Sequence, residues 1–245
     1  MKTKPVFLAA AGLNRSWFSI QAQATADQAE VLIYDYIGWG GVSAADFAKE
    51  LQTVKAKSIT VRLNTPGGDV FDGLAIHNSL KAHGAEINVK VDGIAASIGS
   101  IIAMAGHTIT MGESAFLMIH NPWAFAIGNA ADMRDMADTL DKIGGSLAGV
   151  YASRAKVTVE QAQAWMDAET WFTGREAMTA GLADAVSGGD QAAANASSRF
   201  DLSGYAKVPT ALVETAPTQP DDDSVRRAAL MRRRLALVER GEQSR

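Results

Sequence analysis

Apolar and polar positions along this chain switch repeatedly between a strand period and a helix period. Residues 30–36 are apolar and β-rich, and residues 17–23 read as a strand leading towards them. Ser43 with Asp46 forms a capping box that predicts a helix to about residue 54. Residues 58–63 form the next strand and 70–83 the next helix, with Gly84 as its expected C-terminal cap. A strand at 87–91 leads to a small, apolar helix at 97–105, closed by Gly106. Short strands follow at 108–111 and 116–119, then a long helix at 129–154. Thr158 caps another helix, 170–172 is a short strand, and Thr173 with Glu176 makes a further capping box. Gly181 ends that helix before a strand at 182–186.

This βα alternation predicts an α/β domain with mainly parallel pairing. Reactive groups in such a sheet gather at the C-terminal ends of strands. Asn64, Gly93 and His120 all fall at such ends. The pattern fades after residue 187. Residues 188–198 are rich in Gly, Ala, Asn and Ser, and 215–224 carry Pro217, Pro220 and three aspartates, so 188–224 reads as a linker. Residues 225–245 form a basic, potentially helical tail with arginines such as Arg226 and Arg232. The expected organisation is an N-terminal segment 1–16, a domain 17–187, the linker and the tail. A chain cut after residue 198 is expected to fold and to keep its chemistry.

Composition narrows the chemistry. The 245 residues are 47% hydrophobic, enough for a sizeable core. The net charge of −4 gives no overall attraction to nucleic acid. With no cysteine there is no disulfide, thiolate metal site or cysteine nucleophile, which fits a reducing, cytoplasmic setting. No GxxxxGK[ST] phosphate loop occurs. Lys2, Lys4 and the apolar run 5–13 resemble a secretory signal, but Asn14-Arg15-Ser16 interrupts the run. No segment reaches the ~20 apolar residues of a membrane span.

Three short stretches carry candidate chemistry. Gly67-Gly68 in the loop 64–69 allows backbone N–H groups to approach a reacting carbonyl. Ser97 opens a helix, where free N–H groups and the helix dipole favour an oxyanion. Ser100 lies one turn further on roughly the same face and competes with it as nucleophile, although a hydroxyl there more often bonds a backbone carbonyl. Of the four histidines, His77 and His83 fall on a scaffold helix and His107 at the far end of the serine helix. His120 ends an apolar strand before Asn-Pro, where a side chain can project into a cleft. It is the candidate base, weighed against a histidine simply satisfied at a strand end.

The residues Asn64-Thr-Pro-Gly-Gly-Asp69, Gly93-Ile-Ala-Ala-Ser97 and Met118-Ile-His120-Asn-Pro122, in this order and spacing, resemble the motifs of the ClpP-type serine peptidases. The resemblance runs over residues 17–186 and is strongest to the family's phage and prophage branch of head maturation proteases. It implies a crotonase-like ββα superhelix with a long handle helix at 129–154. It implies Ser97 as nucleophile, His120 as general base and the N–H groups of Gly68 and Ile98 as oxyanion hole. Counting back from Gly181-Leu-Ala-Asp184, the third triad member falls at Glu169, where the family usually has aspartate; Asp167 is the competitor. The resemblance further implies protein or peptide substrates, self-association into heptameric or double rings, a separate ATPase or a phage capsid or scaffold partner, and no cofactor or metal. Two other readings are a crotonase-fold acyl-CoA hydratase or isomerase, and a non-catalytic ring subunit.

Overall fold

A computed structural model describes residues 18–22, 27–38, 43–188 and 200–213. The expected N-terminal segment 1–16 and the basic tail 225–245 lie outside the described residues.

Among the described residues the sheet has eight strands. β1 (Phe18–Ala22), β2 (Gln28–Ile33), β3 (Ser58–Thr65), β4 (Glu86–Ala96), β5 (Thr108–Gly112) and β8 (Ala185–Ser187) lie side by side in that order. β6 (Phe116–Ile119) pairs with the end of β4 and with β7 (Thr170–Thr173). Only β1–β2 and β6–β7 are antiparallel; the other pairs are parallel, as the βα alternation predicts. β4 is the strand that divides the sheet. Its residues 88–91 pair with β5 and its residues 94–96 with β6. A sheet that parts its neighbours in this way opens a crevice at the strand ends.

Helices α1 (Ala44–Thr53), α2 (Val70–Ala82), α3 (Ile98–Ala103), α4 (Ala130–Ala155), α5 (Val159–Asp167), α6 (Gly174–Thr179) and the short α7 (Thr210–Val213) complete the described elements. The capping boxes of Ser43 with Asp46 and Thr173 with Glu176 form, and Asn129 with Asp132 adds a third at the start of α4. Inward-facing Val31, Ile33, Ile59, Val61, Leu63 and Ile87 meet Phe47 of α1, Ile76 and Leu80 of α2 and Ile101 of α3 in one core. Phe18 and Phe47 close its edge, ring to ring at 5.1 Å and 75°.

Two glycines expected as helix caps act otherwise. α2 ends at an extended His83, and Gly84 is not in the left-handed region. Gly106 serves close approach: a β-carbon there would sit 2.7 Å from the Thr108 carbonyl oxygen and 2.8 Å from Val89. Gly181 does take the left-handed turn expected after α6, with φ of 78°.

Within the stretch expected as linker, residues 200–213 pack against the sheet. Phe200, Leu202 and Leu212 are buried with Ile94, Ala96 and Met118 in a second cluster. Five apolar or aromatic side chains, Tyr36, Phe116, Trp171, Tyr205 and Val208, border that cluster.

Candidate active site

β4 runs straight into Ser97. The small residues Ala95 and Ala96 are fully buried between β3 and β6, so the chain reaches the crevice without bulk. The Ser97 N–H donates to the Met118 carbonyl at 3.0 Å, and α3 starts at the next residue. This turn forces Ser97 to φ 55° and ψ −127°. Such a conformation in a non-glycine residue costs about 1–3 kcal/mol and persists only when its surroundings impose it. It lifts the hydroxyl out of the helix and aims it at His120, which follows the last residue of β6. Ser97 Oγ and His120 Nε2 are hydrogen-bonded at 2.7 Å.

Ser100 is occupied elsewhere. It is fully buried, donates to the Ser97 carbonyl at 2.6 Å and shares a 2.7 Å bond with the Tyr151 hydroxyl of α4. The other histidines are structural. His77 Nδ1 bonds the Ile101 carbonyl at 2.8 Å, and its burial holds the imidazole pKa below the ordinary value. His83 Nδ1 accepts from Ala85 N–H at 3.1 Å, and His107 Nδ1 from Ile87 N–H at 2.9 Å.

The glycine turn at the end of β3 closes the other side. Gly67 and Gly68 have φ of 103° and 152°. A β-carbon on Gly67 would lie 2.7 Å from the Ser97 β-carbon, and one on Gly68 would lie 2.1 Å from the Ile37 carbonyl oxygen. Gly68 forms a parallel bridge with Ile37, made by Ile37 N–H to the Gly67 carbonyl and Asp69 N–H to the Ile37 carbonyl. In that pattern the N–H of Gly68 itself points away from Ile37. The Ile98 N–H is the first of α3, one of the donors that a helix start leaves without an intrahelical acceptor. Gly73 of α2 makes room for Ile98, whose side chain would lie 2.1 Å from a β-carbon at that position.

The two candidate acids differ in setting. β6 and β7 pair antiparallel with Ile119 opposite Thr170, so His120 and Glu169 lie one step beyond the last pair. Glu169 is half-buried, with φ of 47°. Its carboxylate accepts from the N–H groups of Ala206 at 2.9 Å and Lys207 at 2.6 Å, and from Trp171 Nε1 at 3.4 Å. Asp167 is exposed and accepts from Asn121 Nδ2 at 2.8 Å and Gln163 Nε2 at 2.9 Å, bonds that hold its carboxyl below the usual range. Both acids thus reach the end of β6, Glu169 beside His120 and Asp167 through Asn121.

Tyr205 was not legible as a site residue. Its ring stands edge-on to His120, centroids 5.4 Å apart, and to Trp171 at 5.8 Å. Its hydroxyl donates to the Pro66 carbonyl. Burial drives its phenol pKa far above the ordinary value, with the Ser97 hydroxyl acting in the opposite sense. Among the described residues, no group of three or more His, Asp or Glu side chains is placed to hold a metal ion.

A hydroxyl bonded to an imidazole beside a glycine-lined turn, at the parted C-terminal edge of an α/β sheet, is the arrangement that serine hydrolases use. The Clp protease family model matches residues 20–190, and the chain belongs to that family. It is 32% identical over 133 residues to the ATP-dependent Clp protease proteolytic subunit 3 of Rhodococcus jostii, covering 53% of this chain and 65% of that protein. It is 30% identical over 135 residues to the corresponding subunit of Bacteroides fragilis, covering 53% and 64%. The matched part therefore spans slightly under two thirds of these relatives. A ClpP1 mutant structure from Listeria monocytogenes superposes with a TM-score of 0.59 at 23% identity, over 67% of this chain and 94% of that one, and shares the fold.

Proposed function

We propose that the protein is a serine endopeptidase that cleaves peptide bonds through an acyl-enzyme. The observation that carries this reading is the 2.7 Å bond between Ser97 Oγ and His120 Nε2 beside the Gly67–Gly68 turn. In the first step Ser97 Oγ attacks the scissile carbonyl carbon and its proton passes to Nε2 of neutral His120. The N–H groups of Gly68 and Ile98 stabilise the oxyanion, each such donor being worth about 10²–10³ in rate. The imidazolium then protonates the leaving amine. Water, deprotonated by His120, hydrolyses the ester and restores Ser97.

Glu169 is the proposed acid that orients His120, because it lies beside His120 across the β6–β7 pair; Asp167 is the alternative. A crotonase-type acyl-CoA reaction needs neither the Ser97 hydroxyl nor the His120 imidazole, and a non-catalytic subunit needs neither held in contact. The dyad favours the peptidase.

The first half of α4 supports self-association. The buried residues of α4 begin at Gly144, while Met133 and the preceding Trp123, Phe125 and Ile127 are exposed. An apolar arm of this kind fits a second copy of the chain, and we assign it to the contacts of a heptameric or double ring. Leu140→Glu should then split the assembly, seen by native mass spectrometry, before it unfolds subunits. The catalytic domain is 17–187. A separate ATPase is the proposed partner for folded substrates, and a phage capsid or scaffold protein is the proposed natural substrate, in the cytoplasm. No helix among the described residues is long and apolar enough to cross a membrane.

The test is mass spectrometry of peptides released from casein. The wild type should release peptides that Ser97→Ala does not. Equal release by both would remove Ser97 as the nucleophile.

A further inference from the structure

Residues 200–213 lie across the catalytic groups. Phe200, Leu202 and Leu212 cover Ile94, Ala96 and Met118, the side chains that β4 and β6 present next to Ser97 and His120. The Phe200 ring meets Tyr36 edge-on at 5.8 Å. Asp201 N–H donates to the Tyr36 hydroxyl at 3.2 Å, and that hydroxyl is 3.3 Å from the Asp201 carbonyl. Ala206 and Lys207 donate their N–H groups to the Glu169 carboxylate, and Lys207 Nζ donates to the Ala168 carbonyl. The segment is thus held by an apolar cluster on one side and by a carboxylate clasp on the other.

Between these two anchors stands Tyr205. Its hydroxyl bonds the Pro66 carbonyl, one residue before Gly67, and its ring stands edge-on to His120 with centroids 5.4 Å apart. A substrate carbonyl has to come between Ser97 Oγ and the N–H groups of Gly68 and Ile98. Tyr205, with its ring against His120 and its hydroxyl on Pro66, spans from the base to the turn that carries Gly68 and so stands over the approach to that space. It offers no carbonyl carbon to attack, so it blocks the site without being consumed. The clasp also engages both oxygens of Glu169, the acid assigned to orient His120.

We propose that residues 200–213 are an intramolecular stopper: Tyr205 obstructs the approach of the scissile carbonyl, Glu169 clasps the segment, and the site works only when the segment lifts or is cut away. This rests on the reading of Ser97 and His120 as a catalytic pair. A site that is open one tenth of the time is slowed about tenfold. Removing the stopper should therefore raise both substrate access and reagent access.

The experiment uses the full chain with Tyr205→Ala, and separately with Phe200→Asp, which disrupts the apolar anchor without touching the dyad. The first readout is the rate of fluorophosphonate labelling of Ser97; the expected change is an acceleration on the order of tenfold in both variants. The second is independent of catalysis: diethyl pyrocarbonate modification of His120 in a Ser97→Ala background, mapped by mass spectrometry with exposed His107 as reference. Tyr205→Ala should speed it by a similar factor. Unchanged or slower labelling in both variants, with unchanged His120 modification, overturns the stopper. No labelling of any variant, with faster His120 modification, keeps the stopper and overturns the peptidase reading.

Discussion

Gly67 and Ser97 face each other so closely across the crevice that a single β-carbon on Gly67 would press to 2.7 Å from the Ser97 β-carbon. The nucleophile is positioned from both sides, by its own strained backbone and by this glycine. Gly67→Ala should therefore lower the rate of peptide hydrolysis by about 10² or more, since displacements near 1 Å have that cost. Far-ultraviolet circular dichroism should stay native. A variant with near wild-type activity would show that the close contact is not needed.

Ser100 and Tyr151 form a buried pair apart from the chemistry. Ser100→Ala leaves the hydroxyl of Tyr151, a residue 1% exposed, without that 2.7 Å partner. The loss should cost about 1–3 kcal/mol of stability in denaturant unfolding. Labelling of Ser97 in the folded fraction should change little. Loss of labelling with stability intact would make Ser100 part of the site.

Glu169 and Asp167 are separated by their amides. Glu169→Gln should reduce turnover by on the order of 10⁴, because an amide favours the wrong imidazole tautomer. Asp167→Asn should leave turnover within a few-fold, as its exposed bonds to Asn121 and Gln163 can be replaced by water. The reverse order would move the role to Asp167. These rates are best compared in a Tyr205→Ala background, where the Tyr205 ring no longer stands against His120.

Acid should destabilise the fold through His77. Burial holds its pKa in the folded state below the ordinary 6.5, so the unfolded chain binds the proton more readily. Its stabilising contribution is complete above pH ~6.5 and is lost as the pH falls below that value. The melting temperature should drop on acidification from pH 7 to 5, and His77→Gln should flatten that part of the profile. An unchanged slope in His77→Gln would assign the acid sensitivity to other groups.

Much of the fold was legible because local signals and the tertiary structure agree. Ser43 and Thr173 show their caps in four residues, and β6 falls at 116–119 as read. The position of Ser97 at a helix start, rather than one turn in, separates it from Ser100 in the sequence alone. The misses have a common cause. β4 continues through Gly93-Ile-Ala-Ala96, which has little strand propensity, because β6 supplies a ladder from a distant part of the chain. Gly106 is required by Val89 and Thr108, contacts that no local pattern encodes. Phe200, Leu202, Tyr205 and Leu212 are spaced without helix or strand period, between Gly/Ala-rich and Pro-rich stretches. Their burial depends on an apolar patch formed only once β4 and β6 meet.

The most direct test of the central claim is the site of covalent capture by a fluorophosphonate, read by intact and peptide mass spectrometry on the full chain and on Tyr205→Ala. The account predicts one adduct per chain, on Ser97, lost in Ser97→Ala and strongly slowed in His120→Ala. An adduct on Ser100 or any other residue, or undiminished capture without His120, would contradict it.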